Sequence, residues 1–154
     1  MLQRIVETGV LAKGIKLIKT GTYQNRIDAT YCLQVLLEKG SFEQIRLFSE
    51  VICIEDLIDN LSKVWSADLI KITLVCICKT IHRAQMFAYQ HNLKCSTNGV
   101  NPCVKKLITA HNYHYIEDLL DYPNEEIQEH IRLLVDEIIS PALVKLDSCT
   151  KMSE

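Results

Sequence analysis

A chain of 154 residues is long enough for one domain and too short for two ordinary ones. With 48% hydrophobic and 23% charged residues it has the balance of a globular protein, which excludes a disordered tail, a collagen-like fibre and a membrane protein. Seventeen basic residues against nineteen acidic ones leave a net charge of −2, so no global field exists to hold a polyanion, and nucleic-acid binding is not expected.

Five glycines and three prolines are few for a fold built on tight turns. The scarcity favours long helices joined by short connections. The first helical pattern runs from Gly9 to Ile18. Its apolar rhythm returns 43 residues later at Ile52–Leu61, and 59 residues after that at His111–Leu120. Matching positions are Leu11, Ile54 and Tyr113, then Leu57 and Ile116, then Ile18, Leu61 and Leu120. Spacings of three and four residues give each segment one buried face.

A second helix follows each of these: Ile27–Glu38, Leu69–Arg83 and Glu125–Ile139. Their aligned core positions are Ala29, Ile72 and Ile131, then Leu33, Cys76 and Val135. A short helix opens each new unit. Ser41-Phe42-Glu43-Gln44 is a capping-box sequence and starts one over Phe42–Glu50. Pro102 suits the first turn of its counterpart, Pro102–Ala110, because its missing N–H costs nothing there. Between them, residues 89–101 contain Asn98-Gly99 and Asn101-Pro102 and read as an inserted surface loop. Pro141 is expected to end the last helix, leaving a polar, frayed tail over 146–154.

Repeated two- or three-helix units with a period of about 40–47 residues are the mark of armadillo or HEAT solenoids. The expected fold is therefore all-α, with units near 1–40, 41–88 and 102–140 in a single domain spanning 1–145. Each unit of a solenoid buries its face on a neighbour. The sequence starts inside a unit, at Met1–Thr8, so the first face should be exposed: either this is a fragment of a longer array, or another chain, a second copy included, covers that end.

The seven cysteines are odd in number, lie mostly in apolar stretches and follow no secretory signal, so they read as reduced thiols of a cytosolic or nuclear protein. No apolar run is long enough to span a bilayer. Of Cys95, Cys103, His111 and His114 only His111-x-x-His114 has the close spacing zinc favours, with no closely paired cysteines beside it, and Cys76-x-Cys78 leans to two sides of a helix. No metal site is expected. No phosphate-cradling loop, nucleophile elbow or metalloprotease motif appears, so neither catalytic residues nor a cofactor is expected. Trp65 reads as a turn residue packed over helix ends, and Lys13, Lys16 and Lys19 as a solvated face.

The segment Thr8-Gly9-Val10-Leu11-Ala12-Lys13-Gly14-Ile15-Lys16-Leu17-Ile18 resembles the GxLxxLxxLL stretch of armadillo repeats. Lys19–Tyr31, Gly40–Ile45, Asn98–Pro102 and Leu119–Ile127 resemble the late repeats of the importin alpha family, over about residues 1–140. The resemblance implies an armadillo-type, right-handed superhelical solenoid of about three repeats. It implies a nuclear-import adaptor, shared between nucleus and cytoplasm, whose partners are basic localisation peptides, nuclear transport receptors or nucleoporins. In the family a tryptophan, an asparagine and an acid on the third helix of a repeat hold the peptide. The positions that match here are Tyr31, Val35 and Asp28. Val35 cannot hydrogen-bond a peptide backbone, and the next repeat offers Val75 and Lys79, so peptide binding should be weak or absent. Glu125, Glu126 and Glu129 form an acidic segment that reads either as favourable charge at a helix start or as a partner surface. The other class of function the pattern allows is a diverged armadillo scaffold that binds an unrelated protein.

Overall fold

The structure is a computed structural model that describes residues 9–41, 43–44, 54–90 and 99–151. All regular structure among these residues is helical. The helix expected over 42–50, most of the loop expected over 89–101 and the cysteines at 53 and 95 lie largely or wholly outside them, and residues 89–90 of that expected loop are helical.

Helix α1 (Val10–Thr20) starts after Gly9, whose φ of 69° lies in the left-handed region that glycine adopts without strain. Leu11, Ile15 and Ile18 form its buried stripe. Gly21 ends it, with its N–H on the Leu17 carbonyl. A Cβ at Gly21 would collide with that same carbonyl oxygen. Helix α2 (Tyr23–Lys39) begins four residues earlier than the apolar rhythm suggests. Thr22 caps it by accepting from the Asn25 N–H.

The Ser41 capping box forms as a reciprocal pair. The Ser41 N–H donates to Gln44 Oε1 at 2.9 Å, and the Gln44 N–H donates to Ser41 Oγ at 3.3 Å. Helix α3 (Ile54–Ile58) tightens into a 3-10 turn over Asp59–Leu61. Helix α4 (Ala67–Gln90) runs 24 residues, seven beyond the expected end at Arg83.

Helix α5 (Pro102–Leu107) carries Pro102 in its first turn, with Asn101 accepting from the Cys103 N–H at 2.8 Å. The Ile108–Thr109 turn then separates it from α6 (Ala110–Leu120). Helix α7 (Glu125–Leu133) is capped by Asn124.

Two expectations fail at the C-terminal end. The helix does not stop at Pro141: it widens into a π-helical turn over Leu134–Ile139 and continues as α8 (Ser140–Lys151). Proline in a helix interior clashes with the carbonyl four residues back. A π turn immediately before it shifts the hydrogen-bond register and makes room for the ring. Residues 146–151 therefore belong to a helix rather than to a frayed tail, with the Ser148 and Thr150 hydroxyls bonded to carbonyls four residues back.

The helices pack in two rows. Helix α2 lies against α4 and α4 against α7. On the other side α1 contacts α3, and α3 contacts both α5 and α6. Between the rows α1 packs on α2, α3 on α4 and α6 on α7. One apolar cluster runs through all of them, from Leu11 and Leu33 through Leu61, Leu74 and Ile77 to Ile116 and Ile131. The aligned core positions are buried or packed on this cluster, with one exception. Leu120 is exposed, and Leu119 takes the buried place, one residue earlier on the same helical face as Ile116.

Three buried threonines are satisfied within their own helices. The hydroxyls of Thr30, Thr73 and Thr80 each donate to the carbonyl four residues back, at 2.6–2.8 Å.

Candidate functional site

Asp28, Tyr31 and Val35 follow at i, i+3 and i+7, a spacing that puts all three on one stripe of α2. All three are exposed, Tyr31 and Val35 at 53% each. Asp28 accepts a hydrogen bond from Gln24 Nε2 at 2.9 Å, one turn earlier on the helix.

Helix α4 brings half-buried Lys71, Val75 and Lys79 beside this stripe. Both lysines have acidic partners across a helix boundary. Lys79 Nζ sits 3.3 Å from Glu38 Oε1 on α2, and Gln34 Nε2 also donates to that oxygen at 2.9 Å. The Gln34 bond, with help from Lys79, holds the Glu38 carboxyl below the usual range. Lys71 Nζ donates to Glu126 Oε2 at 2.7 Å, joining α4 to α7. This bond raises the Lys71 ammonium and lowers the Glu126 carboxyl, and Asp68 and Tyr31 add smaller upward effects on Lys71.

The acidic segment is thus divided by the structure. Glu126 is tied to Lys71, while Glu125 and Glu129 are exposed. Glu125 and Glu126 occupy the first turn of α7, where the free N–H groups favour negative charge. His130 Nδ1 lies 2.7 Å from the Glu126 carbonyl oxygen.

A cluster that sequence reasoning missed joins the start of α2 to the segment from Asp59 to Ser66. The guanidinium of Arg26 donates to the carbonyls of Gly21 and Lys19 and, at 2.7 Å, to Asn60 Oδ1. The same group lies 4.7 Å from the centre of the Trp65 ring, a cation–π contact. Tyr23 stacks on Trp65 at 6.4 Å, and the Tyr23 and Ser66 hydroxyls share a hydrogen bond. Trp65 Nε1 donates to the Asp59 carbonyl at 3.0 Å. Trp65 therefore packs over helix ends, as its position in the turn implies. Asn60 is fully buried, and its Nδ2 has no hydrogen-bond partner among the described residues. The one signal in the sequence was the pairing of a lone tryptophan with an arginine near a predicted helix start. Nothing in linear spacing brings Arg26 to Asn60.

The thiols divide by burial. Burial pushes the Cys76 thiol up to about 12, and the carbonyl of Thr30 accepts from its Sγ at 3.6 Å. Burial also raises Cys78. A thiol held protonated is a poor nucleophile and a poor metal ligand. Cys32, on α2 beside Tyr31, is exposed. His111 and His114 stand 6.2 Å apart between ring centres on α6, and His114 leans on Tyr115. Among the described residues no group of three or more His, Cys, Asp or Glu side chains converges to hold a metal ion, and no helix is long and apolar enough to cross a membrane.

The arrangement offers an aromatic face, a carboxylate and an apolar strip on one exposed stripe, which suits docking of an extended chain. Compared with known protein families and with curated proteins, the sequence matches none.

Proposed function

We propose that this chain is an armadillo-type solenoid of about three repeats and works as an importin-alpha-like adaptor module in nuclear protein import, moving between nucleus and cytoplasm, with a weakened site for basic localisation peptides. The observation that carries the reading is the row formed by α2, α4 and α7. Units that each bury a face on the next are what a solenoid requires. On that row Tyr31 and Asp28 stand exposed in the register the family resemblance assigns to them.

The chemistry of docking follows from these side chains. The Tyr31 ring gives a face for the aliphatic stem and ammonium of a peptide lysine. Asp28 offers a carboxylate to the same cation. Val35 offers no donor or acceptor, so a peptide backbone amide above it loses a hydrogen bond of about 1 kcal/mol. Lys79 keeps a positive charge on the row even with Glu38 beside it, and a basic ligand meets that charge. The peptide site is therefore weak, with Kd above about 100 μM, or roughly −5.5 kcal/mol. Nuclear transport receptors or nucleoporins would then engage the remaining surface.

Val35 and Lys79 also favour a second reading, a diverged armadillo scaffold without transport activity. Titration calorimetry separates the two. A bipartite basic peptide should bind the chain weakly, and its alanine-substituted form not at all. Val35→Asn should tighten binding about fivefold by restoring the backbone bond. Sub-micromolar binding to the unaltered chain would overturn the weakened site. No binding to either protein would leave the scaffold reading.

A further inference from the structure

Two faces of the molecule carry exposed apolar side chains of opposite electrostatic setting. On α1, Val10, Gly14 and Leu17 follow at i, i+4 and i+7, about 100° around the helix from the buried stripe. Val10 and Leu17 are 50% and 43% exposed. Lys13 and Lys16 flank them, and α1 contains three lysines and no acid. At the other end of the chain, Leu133 on α7 is 49% exposed. Glu129, Asp136 and Glu137 lie four residues before and three and four after it, all exposed. Five carboxylates against one arginine mark the whole stretch from Glu125 to Ile139.

We propose that these two faces dock on each other between copies of this chain, head to tail. Charge complementarity selects the occupant. An apolar strip flanked by lysines fits an apolar residue flanked by carboxylates, and one copy offers both halves. The same chemistry already joins neighbouring helices within the chain. Lys19 pairs with Asp56 between α1 and α3, and Glu55 with Lys106 between α3 and α5, beside buried apolar contacts. A contact between two different faces does not close on itself, so it adds copies in an open row. The inference is independent of peptide docking on α2.

Sedimentation velocity on the full chain tests it. The average mass should rise steadily over about a hundredfold range of concentration, and added salt should reverse the rise. Leu17→Glu and Leu133→Lys each block one face at an exposed site, and circular dichroism checks that both variants fold. Each variant alone should stay monomeric. An equimolar mixture should form a one-to-one dimer and nothing larger, because one intact face remains on each partner. Lys13→Glu with Lys16→Glu should weaken association at least about tenfold, and adding Glu129→Lys with Asp136→Lys to the same chain should restore it. The proposal is overturned by an unaltered chain of constant monomer mass, by either single variant associating alone, or by a mixture that stays monomeric. A mass that stops at dimer while the variant mixture stays monomeric would mean a two-fold contact instead, and would also overturn it.

Discussion

Helices α4 and α8 are both long and regular, yet their surroundings differ. Helix α4 has α2 on one flank and α7 on the other. Leu69, Ile70, Leu74, Cys76, Ile77 and Ile81 are completely enclosed. Helix α8 extends past the π turn, and among its residues only Ala142 is buried, with Leu146 packed at the edge. Helical geometry alone therefore says little about stability here. What matters is whether a helix has neighbours on both sides, because most helical stability in proteins comes from tertiary packing of the apolar face. The middle of the chain should act as the stable unit and its C-terminal helix as the first to open.

The largest break in this contrast is a cavity. Leu74→Ala should destabilise the chain by about 2–5 kcal/mol, because the enclosed site cannot collapse fully. Leu143→Ala on α8 should change stability by less than about 0.5 kcal/mol. Urea unfolding of both variants reads the difference. Equal losses would mean that α8 is as well supported as α4. Next in size is the Arg26 cluster. Arg26→Ala leaves Asn60 buried without its remaining partner and should cost roughly 1–3 kcal/mol in the same measurement.

Much of this was legible in the sequence, and the reasons are local. Apolar rhythm fixed α1, α2, α4, α6 and α7, because each keeps one face on the shared core. The Ser41–Gln44 box and the Pro102 start were readable because capping depends on neighbours within three residues. The continuation through Pro141 was not. It depends on a π turn, whose register no short motif announces, and on how the preceding turn yields to the ring. Of the candidate site, Asp28, Tyr31 and Val35 were pointed to by the family resemblance, and helical spacing explains only why they share one exposed stripe. The partners of Lys71 and Lys79 were not, because Glu126 and Glu38 lie 55 and 41 positions away and meet them only through packing.

Thiol reactivity sharpens the comparison. Cys32 should react readily with a maleimide, whereas Cys76 should react only when α4 opens. Below pH 9 the neutral Cys76 thiol is fully compatible with folding. Its contribution is lost as pH rises from the ordinary thiol value of 9.0 toward about 12, because only the unfolded thiol ionises readily in that window. Equal labelling of both cysteines in the folded protein would contradict the burial.

The smallest effect belongs to the Lys71–Glu126 pair. Because the folded Glu126 carboxyl is lowered, its contribution is present above the ordinary carboxylate value of 4.5 and fades as pH falls through the folded one. Because the folded Lys71 ammonium is raised, its contribution is present below 10.5 and fades as pH rises through the folded value. Both charged ends lie at the surface, so high salt should erase the difference between the unaltered chain and Lys71→Ala. A difference that survives salt would point to packing of the lysine stem.

The most direct measurement of the central claim is NMR titration of the labelled chain with a bipartite basic peptide. The account predicts fast-exchange shifts concentrated at Asp28, Tyr31 and Val35 on α2 and at Val75 on α4, with little change on α5 and α6. Shifts centred on α5 and α6, or none at any peptide concentration, would contradict docking on the α2–α4 stripe.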